Sequence, residues 1–278
     1  MKTLYLDLGM GAAGDMLTAA LLELMPDRAK ALEELNRLGL PGIVYTAETA
    51  AKCGITGTHM HVLVHGQEEP ASEDIPEHSH GQEHDHGHTH DHAHGHDHEH
   101  DHSHDHAHHH HTDLAEIRET VTGLPLSQGV KDNILAVYDR IAQAESQIHG
   151  APVDQIHLHE VGSLDALADI TAVCYLLEQL APEQIIASPV QVGFGKVRCA
   201  HGILPVPAPA TALLLVGVPI RAGDIPGELC TPTGAAMLRQ FVTAYGQLPL
   251  MTVERIGYGL GTKDFPAANC IRAMLGQA

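Results

Sequence analysis

Residues 157–180 read HLHEVGSLDALADITAVCYLLEQL. From position 163 onward the side chains are apolar almost without interruption, and this pattern predicts a helix that is buried on all its faces. Ser163 stands at the N-cap position of that helix. Complete burial of a helix requires a sizeable core around it, and a chain of 278 residues is long enough to supply one.

The polar residues at the start of this stretch carry its chemistry. In an extended segment His157 and His159 point to the same side, so both can bind one ion, and Glu160 follows directly. Asp165 and Asp169 are four residues apart and therefore share one helix face. Carboxylates on an apolar helix are costly to bury unless they are paired, hydrogen-bonded or bound to metal. The segment predicts metal ligands and a general base; in the alternative interpretation Asp165 caps the helix and the histidines are surface residues.

The sequence on both sides alternates between strand and helix patterns. Strands are predicted over 3–8, 43–47, 58–65, 185–186, 190–192 and 251–255, and helices over 15–24, 27–38, 113–121, 128–149, 163–180, 209–216 and 233–245. This order predicts a mixed α/β fold of α+β layers and leaves the topology open. Within the strand at 58–65, His59, His61 and His65 share one face, which is either a solvated face or a set of metal ligands.

A histidine-rich tract interrupts this pattern. Residues 78–111 contain 18 histidines in 34 positions and almost no apolar side chains, so the sequence predicts a disordered insertion over 67–111 within one domain formed by 1–66 and 112–278. Imidazoles interleaved with carboxylates favour a labile reservoir of divalent transition metal, although a low-complexity loop of drifting length is the alternative. The central reservoir candidates are His84, His86, His88, His90, His92, His94, His96 and His98.

The stretch RCAHGILPVPAPAT, residues 198–211, contains a second group of metal-binding side chains. Cys199 and His201 are two positions apart and can share a face. Prolines at every second position from 205 to 209 stiffen the chain that follows. The pattern indicates either the wall of a substrate cleft or an edge strand with a linker.

Three glycine-rich turns could bind a phosphate. They are GMGAAGD at 9–15, CTPTGAAML at 230–238 and IGYGLGTKDF at 256–265. Their candidate phosphate-binding residues are Gly11, Gly14, Asp15, Thr231, Thr233, Gly234 and Lys263. Each motif alone fits an ordinary tight turn, whereas the three together favour a small phosphorylated ligand. The first motif has the spacing of a dinucleotide-binding loop, but a second helix follows where that fold requires a strand.

The composition excludes several classes of partner. A net charge of −20 with only 15 basic residues argues against nucleic acid and anionic membranes. Five scattered cysteines without a CxxC motif indicate neither a disulfide framework nor a zinc ribbon, and they favour a reducing, cytoplasmic location. The sequence does not fix an oligomeric state, and a homo-oligomer remains open.

Taken together, these motifs resemble the LarC family, the nickel-inserting proteins of nickel-pincer nucleotide cofactor biosynthesis. The matching residues are Asp7, Gly11, Gly14, Asp15 and Met16, then HLHEVGSLDALADI, GKVRCAHGILPVPAPAT, TPTGAA and IGYGLGTKDF, with Asn269 and Arg272 beyond them. The resemblance runs from residue 4 to about 275 outside the tract. It departs from the family pattern at Leu8, where the family usually has Cys, and at Ala278, where family members usually continue into a C-terminal domain.

The resemblance implies that Ni²⁺ is inserted into pyridinium-3,5-bisthiocarboxylic acid mononucleotide at the expense of CTP. It further implies that CTP, with Mg²⁺ or Mn²⁺, is bound by a C-terminal domain that this chain lacks. Formation of a nickel–carbon bond requires removal of a ring proton, for which Glu160 or His159 is a candidate base, with Asp165 as a third catalytic candidate. The candidate metal ligands are His157, His159, Asp165, Asp169, His201 and Cys199.

Two other functions compete with insertion. The chain could be a non-catalytic nickel store or metallochaperone that works through the tract alone, and deletion of the tract would then abolish its function. An NAD-dependent oxidoreductase that uses GMGAAG predicts tight nicotinamide binding, which we do not expect.

Overall fold

The computed structural model of the chain describes residues 1–68, 73–75, 113–156, 158, 160–199 and 201–278, with the side chains of 73–75 and 160 excepted. The helices of this part are α1 (Gly14–Glu23), α2 (Arg28–Arg37), α3 (Leu114–Gly123), α4 (Gln128–His149), α5 (Leu164–Leu180), α6 (Pro209–Leu214) and α7 (Pro232–Phe241). Its strands are β1 (Lys2–Asp7), β2 (Ile43–Lys52), β3 (Ile55–Val64), β4 (Gln67–Glu68), β5 (Glu73–Ile75), β6 (Gln184–Ala187), β7 (Val190–Gln191), β8 (Gly193–Phe194), β9 (Lys196–Cys199), β10 (Gly202–Pro205), β11 (Ile220–Arg221), β12 (Gly227–Glu228), β13 (Ala244–Tyr245), β14 (Thr252–Leu260) and β15 (Cys270–Gln277).

A mixed sheet of eight strands supports the fold. Its order is β13-β6-β1-β15-β14-β3-β2, with β4 paired to β3. β1 runs parallel to β6 and antiparallel to β15, and β14 joins the β2–β3 hairpin through a short parallel pairing. Three smaller sheets, β10-β9-β5, β11-β7 and β12-β8, lie outside it. The predicted mixed α/β class is confirmed.

Helix α5 is the centre of the helical part. It is buried along most of its length and packs against α1, α4, α7 and the β2–β3 hairpin. Helix α1 in turn packs on β3, β14 and β15. The predicted buried helix is confirmed, and Ser163 caps it by accepting a hydrogen bond from the Ala166 N–H at 3.1 Å.

The helix-capping predictions also agree with the structure. Asp113 and Glu116 form a reciprocal capping box at the start of α3. Ser127 caps α4, and Gly150 ends it in the left-handed conformation with φ of 61°.

The structure differs from the sequence analysis in three places. The helix predicted to reach 245 ends at Phe241, because Ala244–Tyr245 pairs with β6. The strand β15 was not predicted. Residues 67–68 and 73–75 fall inside the predicted disordered insertion but pair with β3 and β9 respectively. The histidine tract itself lies outside the described residues.

Most of the third glycine-rich motif is strand rather than loop. Gly257 and Gly259 lie in β14, where the missing side chains let helix α1 approach the strand closely. A Cβ added at Gly259 would stand 1.9 Å from the carbonyl oxygen of Met16. The glycines therefore fix the distance between helix and sheet, and the turn begins only after Leu260.

We expect Gly259→Ala to lower the free energy of unfolding by about 2–3 kcal/mol. The added methyl group would clash with the backbone of α1 at Met16, and that backbone can move only together with the whole helix. Gly246→Ala is a matched control, since a Cβ there has no heavy atom within 4 Å. Urea denaturation compares the two variants with the parent chain. Equal midpoints for both variants would refute this explanation of the close packing.

In the part of the chain that the structure describes, no helix combines the length and the apolar character needed to cross a membrane.

Candidate functional site

The Asp169 carboxylate of α5 faces the start of α1. Asp169 is buried, with 6% of its surface exposed, and it lies directly against Gly14. A Cβ at Gly14 would come 2.1 Å from Asp169 Oδ2, so only glycine leaves room for this carboxyl group. The Asp169 carboxyl accepts a hydrogen bond from the Asp15 N–H. It thereby supplies a cap for α1, whose own N-cap residue Ala13 has no side-chain acceptor.

The capping bond does not satisfy the Asp169 carboxyl. Its Oδ1 atom has no hydrogen-bond partner among the described residues. Burial raises the pKa of Asp169 well above its usual value, and the nearby carboxyl groups of Asp165 and Asp15 raise it further. Three acidic side chains therefore share one site, and their proximity favours the neutral form of Asp169.

Two buried tyrosines border this acidic group. The Tyr45 hydroxyl donates to the Ala168 carbonyl at 2.8 Å, whereas the Tyr138 hydroxyl has no partner among the described residues. Burial, followed by the charges of Asp169 and Asp165, raises the pKa of both tyrosines. Both phenols are therefore neutral proton donors at physiological pH.

Asp15 connects the acidic group to the third glycine-rich motif. Its Oδ1 accepts the Met16 N–H at 2.7 Å, and its Oδ2 accepts the Thr262 hydroxyl at 3.4 Å. Burial raises the pKa of Asp15 from 3.8 to about 6, against the opposing effect of these hydrogen bonds. Asp15 is therefore ionised at neutral pH at a cost to stability.

Asp15→Asn should remove this cost. Because the pKa of Asp15 is higher in the folded protein, its favourable contribution is complete below about pH 4 and is lost as the pH rises through 6. We expect the free energy of unfolding of the variant, minus that of the parent, to increase by about 2 kcal/mol between pH 4 and pH 7. Urea denaturation across this range measures the difference, and a difference that is flat with pH would contradict the assignment.

All three glycine-rich motifs meet at the start of α1. The Ala12 N–H donates to the Leu229 carbonyl, and the Thr231 N–H donates to the Ala12 carbonyl, both at 3.0 Å. A Cβ at Gly234 would lie 2.2 Å from the Ala12 carbonyl oxygen, and one at Gly11 would lie 1.9 Å from the Leu229 carbonyl oxygen. The starts of α1 and α7 are thus in direct contact.

The predicted phosphate-binding hydroxyls have structural roles at this junction. Thr231 caps α7 by accepting the Gly234 N–H at 3.1 Å, and its hydroxyl is 2.9 Å from that of Thr233. Lys263 is half-buried, and its carbonyl accepts a hydrogen bond from the Asn269 amide at 2.8 Å. The residues predicted for phosphate binding are therefore brought near one another, and phosphate binding by them stays a prediction.

A cleft of about 140 Å³ lies beside this junction. It is lined by Glu145, Ile148, His149, Val161, Val197, Cys199, His201, Leu204, Ala208, Pro209, Ala210, Glu228 and Pro232. Cys199 and His201 belong to the β9–β10 hairpin and line this cleft, and its use by a substrate stays a prediction. Val161 directly follows Glu160, and Pro232 lies in the first turn of α7, so the cleft borders both the 157–162 segment and the α1–α7 junction.

Sequence reasoning missed three polar residues of this cleft. His149 lies opposite His201, with 4.9 Å between their ring centroids, and its Nε2 is 3.3 Å from Glu145 Oε2. Glu228 is a buried carboxylate in β12. His149 gave no signal because a histidine in the last turn of a helix is ordinary.

The remaining predicted residues divide between described and undescribed parts. His157 and His159 lie outside the described residues, as do the reservoir histidines. The backbone of Glu160 begins a short 3-10 turn over Glu160–Gly162 that packs against α5, and the intervening Leu158 is buried. Asp165 lies in the first turn of α5, four residues after the cleft-lining Val161.

Among the described residues, one set of three potential ligands has all its ligand atoms within 4.8 Å of one another: Glu48, His59 and His61 on the β2–β3 hairpin. No three of the described members of the predicted ligand set meet this criterion. Asp169 faces α1, with Asp165 near it, whereas Cys199 and His201 line the cleft. Their joint binding of one ion stays a prediction.

Comparisons with known proteins lead to one family. The family model described as nickel insertion protein matches residues 4–278. Proteins named pyridinium-3,5-bisthiocarboxylic acid mononucleotide nickel insertion protein are 38% identical in Geobacillus kaustophilus, 37% in Desulfitobacterium hafniense and 38% in Clostridium kluyveri. Each match covers the whole chain but only 60%, 59% and 62% of the respective relative, so the chain spans about three fifths of their length. No solved structure matches the chain.

Proposed function

Because the chain belongs to the nickel insertion protein family, we propose that it inserts Ni²⁺ into pyridinium-3,5-bisthiocarboxylic acid mononucleotide. The observation that carries this proposal is the cleft, at which thiol, imidazole and carboxylate side chains from three separate segments meet beside Val161. Imidazole and carboxylate groups hold Ni²⁺ and can release it to a sulfur-rich acceptor. The nickel ion is a substrate in this scheme.

The insertion step replaces a proton by the metal. One ring carbon of the pyridinium loses H⁺ to a base, its electron pair forms the nickel–carbon bond, and the two thiocarboxylate sulfurs complete the binding without a change in the nickel oxidation state. Glu160 or His159 is the proposed base, and Asp165 is proposed to bind or orient the metal. The acidic group of Asp15, Asp165 and Asp169 would attract the divalent ion and lower the cost of concentrating it there.

Two further features belong to the proposal. The phosphate of the substrate would lie near the start of α7, where the first-turn N–H groups favour an anion. The reaction would consume CTP with Mg²⁺ or Mn²⁺, as the family resemblance implies. A reducing, cytoplasmic setting suits the chain, because all five cysteines are free.

The direct test is insertion with purified components. The chain is incubated with the organic precursor, Ni²⁺, CTP and Mg²⁺, and mass spectrometry detects the nickelated product. A parallel reaction adds, as a separate polypeptide, the portion of the Geobacillus kaustophilus relative that lies outside the match. Product in either reaction supports the proposal, whereas no product in both would contradict it.

The second candidate function, nickel storage, is favoured by the 18 tract histidines. If the tract is a reservoir for an insertion enzyme, deleting residues 78–111 should lower the number of Ni²⁺ bound per chain and raise the nickel concentration needed for half-maximal insertion. Insertion at saturating nickel should remain, because the cleft is intact. Equilibrium dialysis and the insertion assay measure the two effects. Unchanged nickel stoichiometry would refute the reservoir, and complete loss of insertion would favour the storage protein.

A further inference from the structure

A separate cluster of metal-binding side chains lies on the β2–β3 hairpin, which contributes no residue to the cleft. Glu48 of β2 and His59 of β3 are directly opposite each other in the antiparallel register. His61 lies two residues further along β3 and therefore on the same face of the sheet. The pairing of the strands thus brings the three side chains together.

The three ligand atoms are spaced as ligands of one ion are. His61 Nε2 is 3.3 Å and His59 Nδ1 is 4.0 Å from the same oxygen, Glu48 Oε1. All three atoms lie within 4.8 Å of one another, and the two imidazole centroids are 4.4 Å apart. Atoms bound at roughly 2.1 Å to one tetrahedral metal ion are about 3–3.5 Å apart, so only small side-chain movements are needed.

The hydrogen bonds of the outer ring nitrogens determine where the imidazole lone pairs lie. The Thr262 hydroxyl gives its one proton to the Asp15 carboxylate at 3.4 Å, so it can only accept from His59 Nε2, 3.4 Å away. His61 Nδ1 contacts the Glu68 carboxylate, which likewise can only accept. In both neutral rings the inner nitrogen is therefore the unprotonated one.

With both rings neutral, two imidazole lone pairs and a carboxylate oxygen face one another, and a cation between them would make the arrangement favourable. Metal-binding histidines characteristically donate their outer N–H to a carboxylate or other acceptor, as His59 and His61 do here. Glu48 is 61% exposed, so an ion can reach the group from solvent. The neighbouring Lys52 does not occupy this position, because its ammonium is 2.6 Å from Asp264 Oδ1.

We propose that Glu48, His59 and His61 form a surface site for one divalent transition-metal ion, supported by Glu68 and Thr262. Three protein ligands leave positions for water, and such an open site exchanges its metal readily. The metal-free alternative is a protonated histidine paired with Glu48 and Glu68. Binding at this hairpin does not depend on the proposed insertion reaction; only the choice of Ni²⁺ as the first probe comes from the family.

The position of the site suggests its use. Thr262 joins His59 to Asp15, so a metal at the hairpin is two side chains from the acidic group at the start of α1. Glu68 precedes the first tract histidine, His78, by ten residues. The site is therefore close in sequence to the proposed reservoir and close in space to the acidic group. A nickel entry site would have this position.

The test uses the full chain with the 18 tract histidines replaced by asparagine, so that the tract does not mask a single site. Isothermal titration with Ni²⁺ and with Zn²⁺ should show, besides any binding at the cleft, a site that His61→Asn weakens at least 100-fold. Glu68→Gln and Thr262→Val should each weaken it about 10-fold, because they remove only the supports of the ligands. His65→Asn, at an exposed histidine immediately after β3, is the matched control and should change nothing.

A nickel-edge anomalous difference map of the unmodified chain locates the ion directly, with a peak expected within bonding distance of His59 Nδ1 and His61 Nε2. Identical titrations for the parent, His61→Asn and Glu68→Gln, or a map without that peak, would overturn the proposal. Should His61→Asn fail to fold, Glu48→Gln and Glu68→Gln give the same comparison at exposed positions.

Discussion

Asp169→Asn should reduce nickel insertion at least ~100-fold and, in the same molecule, raise the free energy of unfolding at neutral pH. The carboxyl group is buried, lies near Asp165 and Asp15, and has an oxygen without a partner among the described residues. Its ionised form therefore destabilises the fold, whereas an amide of the same size avoids the charge and can still accept the Asp15 N–H. A residue that lowers stability where it stands is a candidate for function.

Thr171→Val is the matched control for this variant. Thr171 lies on the same helix, is fully buried, and has a hydroxyl without a partner among the described residues, but it carries no charge. We expect Thr171→Val to leave insertion unchanged. Urea denaturation at pH 7 and the insertion assay are made on both variants. An Asp169→Asn protein that is less stable than its parent, or that inserts nickel at the parent rate, would show that this carboxyl group has only its capping role.

Glu160→Ala and His159→Ala should each abolish detectable insertion while total nickel binding stays nearly unchanged. Loss of a general base costs about 10²- to 10⁴-fold in rate, and loss of a ligand at an organised site removes the metal from the reacting geometry. The tract would still hold most of the bound nickel, because it contains 18 of the 25 histidines.

Glu119→Ala, at an exposed position of α3, is the control for the removal of a carboxylate. Insertion rates and equilibrium dialysis are compared across the three variants. Parent rates for both Glu160→Ala and His159→Ala would mean that the 157–162 segment is structural.

Local sequence patterns were sufficient to predict the elements whose burial or capping is visible in residues close together in the chain. The unbroken apolar run after Ser163 predicted α5, and the Asp113–Glu116 pair predicted the start of α3. The strand β15 was missed because its sequence, CIRAMLGQ, has no period-two alternation. Its position is set by pairing with β1 and β14, which lie at opposite ends of the chain.

The sequence indicated the residues of the site separately, because the site is formed by residues that are far apart in the chain. The sequence indicated Gly14 and Asp169 separately, but only the packing of α1 on α5 shows that Gly14 makes room for the Asp169 carboxyl. Likewise, glycine spacing could not separate a turn from a strand, and Gly259 serves helix packing rather than phosphate binding. His149 reaches the cleft from the end of α4, 52 residues before His201, and no local pattern connects the two.

The central claim is that insertion takes place at the 157–169 segment while the histidine tract only supplies nickel. Single-turnover insertion at saturating Ni²⁺, with precursor and CTP in excess and the unmatched portion of the Geobacillus kaustophilus relative supplied where it is required, separates the two. We predict that a chain without residues 78–111 forms product at the parent rate and that His159→Ala forms none. Product from His159→Ala at the parent rate, together with none from the chain that lacks the tract, would contradict the claim.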